Sequence, residues 1–298
     1  MKTGKQSRRD NMGYVYILPW ILGFIVFQAY PLAASLFYSF TDYNITDKPV
    51  FVGFDNYVTM FTKDKLFLIS FWTTIKFVFM SVPMKIVTAL IVAMLLNQKI
   101  RGINFYRTVF YIPSIFGGSV AIAILWRFLF MDDGLVNHLL AAIHLPAVKW
   151  LTSPMLALFT LNLLSVWQFG SSMVLFLAAL KQVPEDLHEA ARIDGAGRFH
   201  SFFRVTLPMI TPVLFFNILM QMVNAFQDFT GAFVITNGGP LNSTYLFALK
   251  LYSEAFRYFK MGYASALSWI LFLLILMFTA VFFRFSSMAT YYEDGGKF

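Results

Sequence analysis

Apolar residues run along this chain in six long blocks separated by short polar stretches. The blocks are Tyr14–Phe40, Ser70–Leu96, Thr108–Phe130, Leu151–Leu180, Val205–Ile235 and Met261–Phe283. Each holds at least the roughly 20 apolar residues that a helix needs to cross the hydrocarbon of a bilayer. In lipid a helix satisfies its own backbone hydrogen bonds. The pattern therefore predicts an all-α fold, a polytopic integral membrane protein of six transmembrane helices. The first block carries no charge. It is too long for a cleavable signal peptide and lacks a small-residue cleavage site.

Composition agrees. Hydrophobic residues make up 58% of the chain and charged residues 13%, against about 25% charged in a soluble domain. There is no cysteine, which excludes a disulfide framework and a thiolate metal site. The net charge of +8 turns out to be a matter of topology. Segments 1–13, 97–107, 181–204 and 284–298 hold thirteen Lys and Arg against seven acids, whereas 41–69, 132–150 and 236–260 balance at seven each. By the positive-inside rule the first set is cytoplasmic, and both termini with it. Lys76, Lys85, Arg127 and Asp228 supply the rest from within or at the ends of spans. The basic excess thus implies a bilayer and no nucleic acid. Trp72, Trp126 and Trp150 fall near the outer ends of spans, as interfacial indoles do, and Trp167 falls mid-span.

The chain reads as one domain, without low-complexity linker or internal repeat. Its expected parts are a cytoplasmic N-terminus (1–13), a first helix with its outer loop (14–69), a five-helix core (70–284) and a cytoplasmic tail (285–298).

One cytoplasmic loop breaks the pattern, KQVPEDLHEAARIDGAGRFHSFFRVTLPMITP. Pro184, Glu185 and Asp186 suit a first helical turn. Leu187, Ala190 and Ala191 lie three and four apart and share a face. Gly195 and Gly197 suit a stop. The spacing predicts a short helix over about 184–196, a glycine turn, and a second short helix entering the membrane near Pro208 and Pro212. A small-residue face flanked by Glu189, Arg192 and Asp194 suits close docking of another protein. A solvated loop is the plainer alternative.

Glu189-Ala190-Ala191, Gly195, then Val205 and Leu207-Pro208 resemble the signature loop of permeases of ATP-binding-cassette importers, with Val in the place usually held by Ile. ILPWILGFIVFQAYPLAASLFYSFTDYN, LLNQKIRGINFYRTVFYIPSI and VITNGGPLNSTYLFALKLYSEAFRYFKMGYASAL extend the resemblance over nearly the whole chain. They are similar to the maltose and glycerol-phosphate type of sugar importer, in the compact six-span first-permease form. The extra spans and large outer domain of some maltose-type permeases are missing here. The resemblance implies the type I importer permease fold in a bacterial cytoplasmic membrane. It implies that Glu189, Ala190, Ala191, Arg192, Asp194, Gly195, Leu207 and Pro208 couple to an ATPase. It further implies a second, unlike permease subunit, two ATPase subunits that use ATP and Mg, and an extracellular or periplasmic sugar-binding protein. This chain would bind no cofactor. Its motion would be alternating access.

Polar residues inside spans cost free energy and mark interiors or water-filled routes. Asn217, Gln221, Asn224 and Asp228 follow at 4, 3 and 4 residues and form one stripe. Asn162, Ser165, Gln168 and Ser172 lie in the fourth block beside Trp167, whose ring suits either a sugar or plain packing. Helix-to-helix hydrogen bonding is the alternative for the amides. Lys76 and Lys85, nine residues apart, point to opposite faces unless Pro83 kinks the helix. Lys76 is placed to snorkel outward or pair with Asp228. Either lysine suits an acidic, uronic-acid-containing oligosaccharide, and either suits a structural partner on the other subunit.

There is no phosphate-binding loop. His138, His144, His188 and His200 lack ligand spacing, and no nucleophile triad converges. No catalytic or metal residue is therefore assigned, and ATP hydrolysis belongs to a separate subunit. The competing reading is an ion-coupled secondary carrier acting alone. It would want acids in several spans, and Asp228 is the one acid within a block.

Overall fold

The computed structural model describes residues 16–98 and 101–289. The expected N-terminal segment 1–13, Lys99 of the basic loop, and the tail beyond 289 lie outside the described residues. The chain divides into two compact units. The first runs to Asp64 and takes in Leu251–Phe272; the second comprises Lys65–Lys250 and the residues from Leu273 onward.

The first unit opens with helix α1, Tyr16–Ser39, long and apolar enough to cross a membrane. A two-residue strand pair follows, β1 (Thr41–Asp42) antiparallel to β2 (Val50–Phe51), a small departure from the all-α expectation. Helix α2, Asp55–Thr62, fastens the end of α1. Asn56 Nδ2 donates to the carbonyls of Ser39 and Thr41 at 2.9 Å, and the Tyr57 hydroxyl donates to Ser39 Oγ at 2.9 Å. Gly262 lies so close to the Thr41 carbonyl that an added Cβ would collide with it, and its N–H donates to the Tyr43 carbonyl at 3.0 Å. The Tyr263 hydroxyl donates to Asp64 Oδ2 at 2.6 Å, and Trp269 Nε1 to Ser35 Oγ at 3.1 Å.

The second unit is organised around α3, Lys65–Leu96. At 1.5 Å per residue its 32 residues reach about 48 Å, more than the hydrocarbon needs. Ser70, Thr74, Phe77, Ser81, Ala89 and Ala93 are buried along it. Small side chains such as Ser70, Thr74, Ser81, Ala89 and Ala93 let helices in lipid approach closely. Against α3 pack α7 (Pro154–Trp167), α8 (Gly170–Gln182) and α10 (Arg198–Phe226). Ser81 Oγ donates to Ser165 Oγ at 2.9 Å, and the Phe247 N–H donates to Thr74 Oγ1 at 2.8 Å. Between α3 and α7 lie α4 (Ile103–Ile115), α5 (Val120–Phe130) and α6 (Leu135–Ala142). The loop helix α9 spans Glu185–Ile193. After a short α11 (Phe247–Tyr252), the last helix, α12, runs over Met261–Ala289, so the first five residues of the expected tail are helical.

Among the described residues, four helices are long and apolar enough to span: α1, α3, α10 and Met261–Arg284 of α12. Two further spans exist if each bent pair counts as one, with α4 meeting the segment from Val120 at 98° and α7 meeting α8 at 47°. The third and fourth apolar blocks are therefore broken where straight helices were expected. The fifth also differs. It starts at Arg198 and ends at Phe226, because the polar stretch Gln227-Asp228 leaves the helix there. The expected short helix entering the membrane is the first turn of α10 itself.

Candidate functional site

Three interrupted helices meet at one cavity of about 400 Å³ within the second unit. Its wall includes Lys85 and Ser81 of α3, Gln168 at the end of α7, and Gln221, Asn224 and Asp228 on and just past α10. Irregular backbone at membrane depth persists where it lines a polar cavity, since lipid cannot satisfy its N–H and C=O groups.

Each interruption has a local cause. Between α4 and α5 stands Phe116-Gly117-Gly118-Ser119, with Gly118 at φ +73°; a left-handed residue stops a helix, and glycine adopts that conformation without steric cost. Between α7 and α8, Gly170 passes against α4. An added Cβ would lie 2.7 Å from Ser114 Oγ and 2.8 Å from the Phe110 carbonyl. Ser114 Oγ donates to the Gln168 carbonyl and accepts from the Ser171 N–H, both at 3.1 Å. One hydroxyl thus serves both sides of the break. The third interruption follows α10, where the Asp228 carboxylate accepts the Gly231 N–H and the chain re-enters a short wide turn at Ala232–Thr236.

Of the residues the sequence nominates for a substrate path, Lys85, Ser165, Gln168, Gln221, Asn224 and Asp228 come together here. The others do not. Asn217 is buried and donates from Nδ2 to the Val213 carbonyl of its own helix at 3.2 Å. Asn162 is fully buried and donates likewise to the Leu158 carbonyl at 2.8 Å. Trp167 lies against Trp126, with ring centroids 5.8 Å apart. Lys76 lines a different cavity of the same unit, with Met80 and Phe159. Pro83 does not bring the two lysines together, and the charge that shares a cavity with Asp228 is Lys85. Sequence reasoning missed Ser114, Gly117, Gly118, Ser119 and Thr230. For Gly117, Gly118 and Ser119 the signal was a glycine-serine interruption inside an apolar block.

The loop helix α9 buries none of its residues. Pro184 stands before it in extended conformation (ψ 135°) as the N-cap. At the other end the Ala196 N–H donates to the Ala191 carbonyl at 2.8 Å, and the Gly195 N–H to the Arg192 carbonyl at 3.0 Å. With Gly195 at φ +80° this is a Schellman stop. Gly197, expected to end the helix too, instead precedes α10 with an ordinary negative φ of −71°. His188 Nδ1 shares a hydrogen bond of 2.9 Å with Ser201 Oγ and ties α9 to α10. Glu189, Ala190, Arg192, Asp194 and Gly195 are exposed and Ala191 is half-buried. Ile193 and Phe199 are 87% and 83% exposed. Leu207 and Pro208 are half-buried within α10, beyond a wide turn at Phe202–Thr206.

A family model described as "Binding-protein-dependent transport system inner membrane component" matches residues 62–293. The chain is 46% identical to "Probable ABC transporter permease protein YesP" of Bacillus subtilis (strain 168), covering 99% of this chain and 96% of the relative. It is 35% identical to "sn-glycerol-3-phosphate transport system permease protein UgpA" of Shigella flexneri, over 94% and 95%. In shape it resembles a chain of a bacterial ABC transporter involved in the import of the acidic polysaccharide alginate. There the TM-score is 0.84 at 22% identity, covering 98% of this chain and 100% of that one.

Proposed function

Because the chain belongs to the family of binding-protein-dependent transport system inner membrane components, we propose that it is the permease subunit of an ATP-driven importer of acidic oligosaccharides in a bacterial cytoplasmic membrane. The observation that carries the reading is α9. A cytosolic helix that buries nothing of its own, yet is stopped by a Schellman motif and pinned by His188 to Ser201, is presented for a partner. That partner is an ATPase subunit. Glu189, Arg192 and Asp194 supply ion pairs at the rim, and Ala190 permits close approach. Leu207 and Pro208 lie within α10 just past the wide turn at Phe202–Thr206, so a push on α9 reaches the membrane part of that span.

A second, unlike permease closes the other side of the pathway, two ATPase subunits supply ATP and Mg chemistry, and an external binding protein delivers the sugar. Closure of the ATPases draws the coupling helices together and turns the cavity toward the binding protein. Within the cavity Gln168, Gln221 and Asn224 suit hydroxyl groups, and Lys85 suits a carboxylate. The named substrate of the 35% identical relative is itself anionic, which supports an acidic cargo; the alginate importer bears on the fold alone.

The test is uptake by cells carrying Glu189→Lys, with membrane level checked in parallel. Normal insertion with lost uptake and lost co-purification of the ATPase is expected. Survival of both uptake and co-purification would overturn Glu189 as a docking residue.

A further inference from the structure

Lys76 does not line the Lys85 cavity. It lies on α3 in a cavity of about 620 Å³, walled by Met80, Pro154, Met155, Leu158 and Phe159. The polar lining is Thr73, Lys76 and Ser243, and none of the lining residues is acidic. The Ser243 hydroxyl is buried and has no hydrogen-bond partner among the described residues, a condition that costs free energy unless a ligand supplies the acceptor. One turn from Lys76, Trp72 is 58% exposed. Indoles prefer the headgroup level of a bilayer, and four residues of helix separate Trp72 from Lys76 by about 6 Å along the axis. The lysine stem is long enough to carry its ammonium back to that level.

We propose that this groove holds one anionic phospholipid of the phosphatidylglycerol kind. Its phosphodiester accepts from Lys76 Nζ and Ser243 Oγ, and an acyl chain lies along Met80, Leu158 and Phe159. A zwitterionic lipid would bring a second cation toward Lys76 and is disfavoured. A sugar carboxylate would leave the apolar wall unused. The site is separate from the Lys85 cavity and does not depend on what the transporter carries.

The experiment takes the whole transporter, this chain with its partner subunits, from nanodiscs of mixed phosphatidylglycerol and phosphatidylcholine. Native mass spectrometry then reads the lipid retained through graded detergent exposure. The wild type is expected to keep phosphatidylglycerol in preference to phosphatidylcholine. Lys76→Met should keep roughly tenfold less, as loss of a charged hydrogen bond implies, and Lys76→Arg should keep it. Leu158→Trp, which fills the groove and leaves the charge, should also lose the lipid; it serves where Lys76→Met fails to assemble. Equal retention by Lys76→Met or by Leu158→Trp would overturn the site. So would loss of the second permease subunit from Lys76→Met with lipid retention unchanged, since the groove would then belong to that subunit.

Discussion

Lys85 is the cation of the central cavity, and it shares that wall with Asp228. A charged hydrogen bond to a uronate contributes about 1.5–3 kcal/mol, so Lys85→Met is expected to cut uptake of an acidic oligosaccharide roughly tenfold or more. Neutral sugars should be spared. Parallel uptake of a labelled uronate oligomer and its neutral analogue checks this; equal loss of both would mean damage to the fold. Gly170 makes a second prediction. With Ser114 Oγ and the Phe110 carbonyl under 3 Å from an added Cβ, Gly170→Ala should lower stability by about 1–3 kcal/mol, read as an earlier thermal transition of the purified protein. Lys85 was legible because a lysine in an apolar block demands an account. Ser114 was not, because its hydroxyl acts on α7 and α8, 54 and 57 residues further along the chain.

At the scale of elements, apolar block length located the spans, but it averaged over their breaks. Gly117-Gly118 interrupts an otherwise greasy run, and a 20-residue window does not see two glycines. The 98° and 47° bends come from backbone stops and close approaches, not from hydropathy. The loop helix was more legible, since Pro184, the paired acids and Gly195 are local signals. What the signals could not decide was which glycine stops it. Both suit the role, and only Gly195 adopts a positive φ. Gly195→Ala should cost about 1–2 kcal/mol in that conformation. The expected readout is faster amide exchange at Ala190–Ala196, by roughly tenfold, with the spans unchanged. Unaltered exchange there would show that the cap does not hold the helix.

For the molecule as a whole, the first unit ends at Asp64 and takes in Leu251–Phe272. Closure of that unit rests on meetings between positions some two hundred residues apart, which one sequence does not reveal. Gly262 against Thr41 is the tightest of them. Gly262→Ala should loosen the segment Thr41–Asp64, seen as faster limited proteolysis there, while the Lys85 cavity still supports transport in proportion to intact protein. Unchanged cleavage would mean the contact yields without cost. In the second unit, Ser114 fastens α4 to the α7–α8 break through one oxygen. Held at that one oxygen, α4 and the α7–α8 break are expected to move together, so that the wall they form turns without opening a seam of its own. Any bending is then expected at the break after α10, which the Asp228 carboxylate spans by accepting the Gly231 N–H.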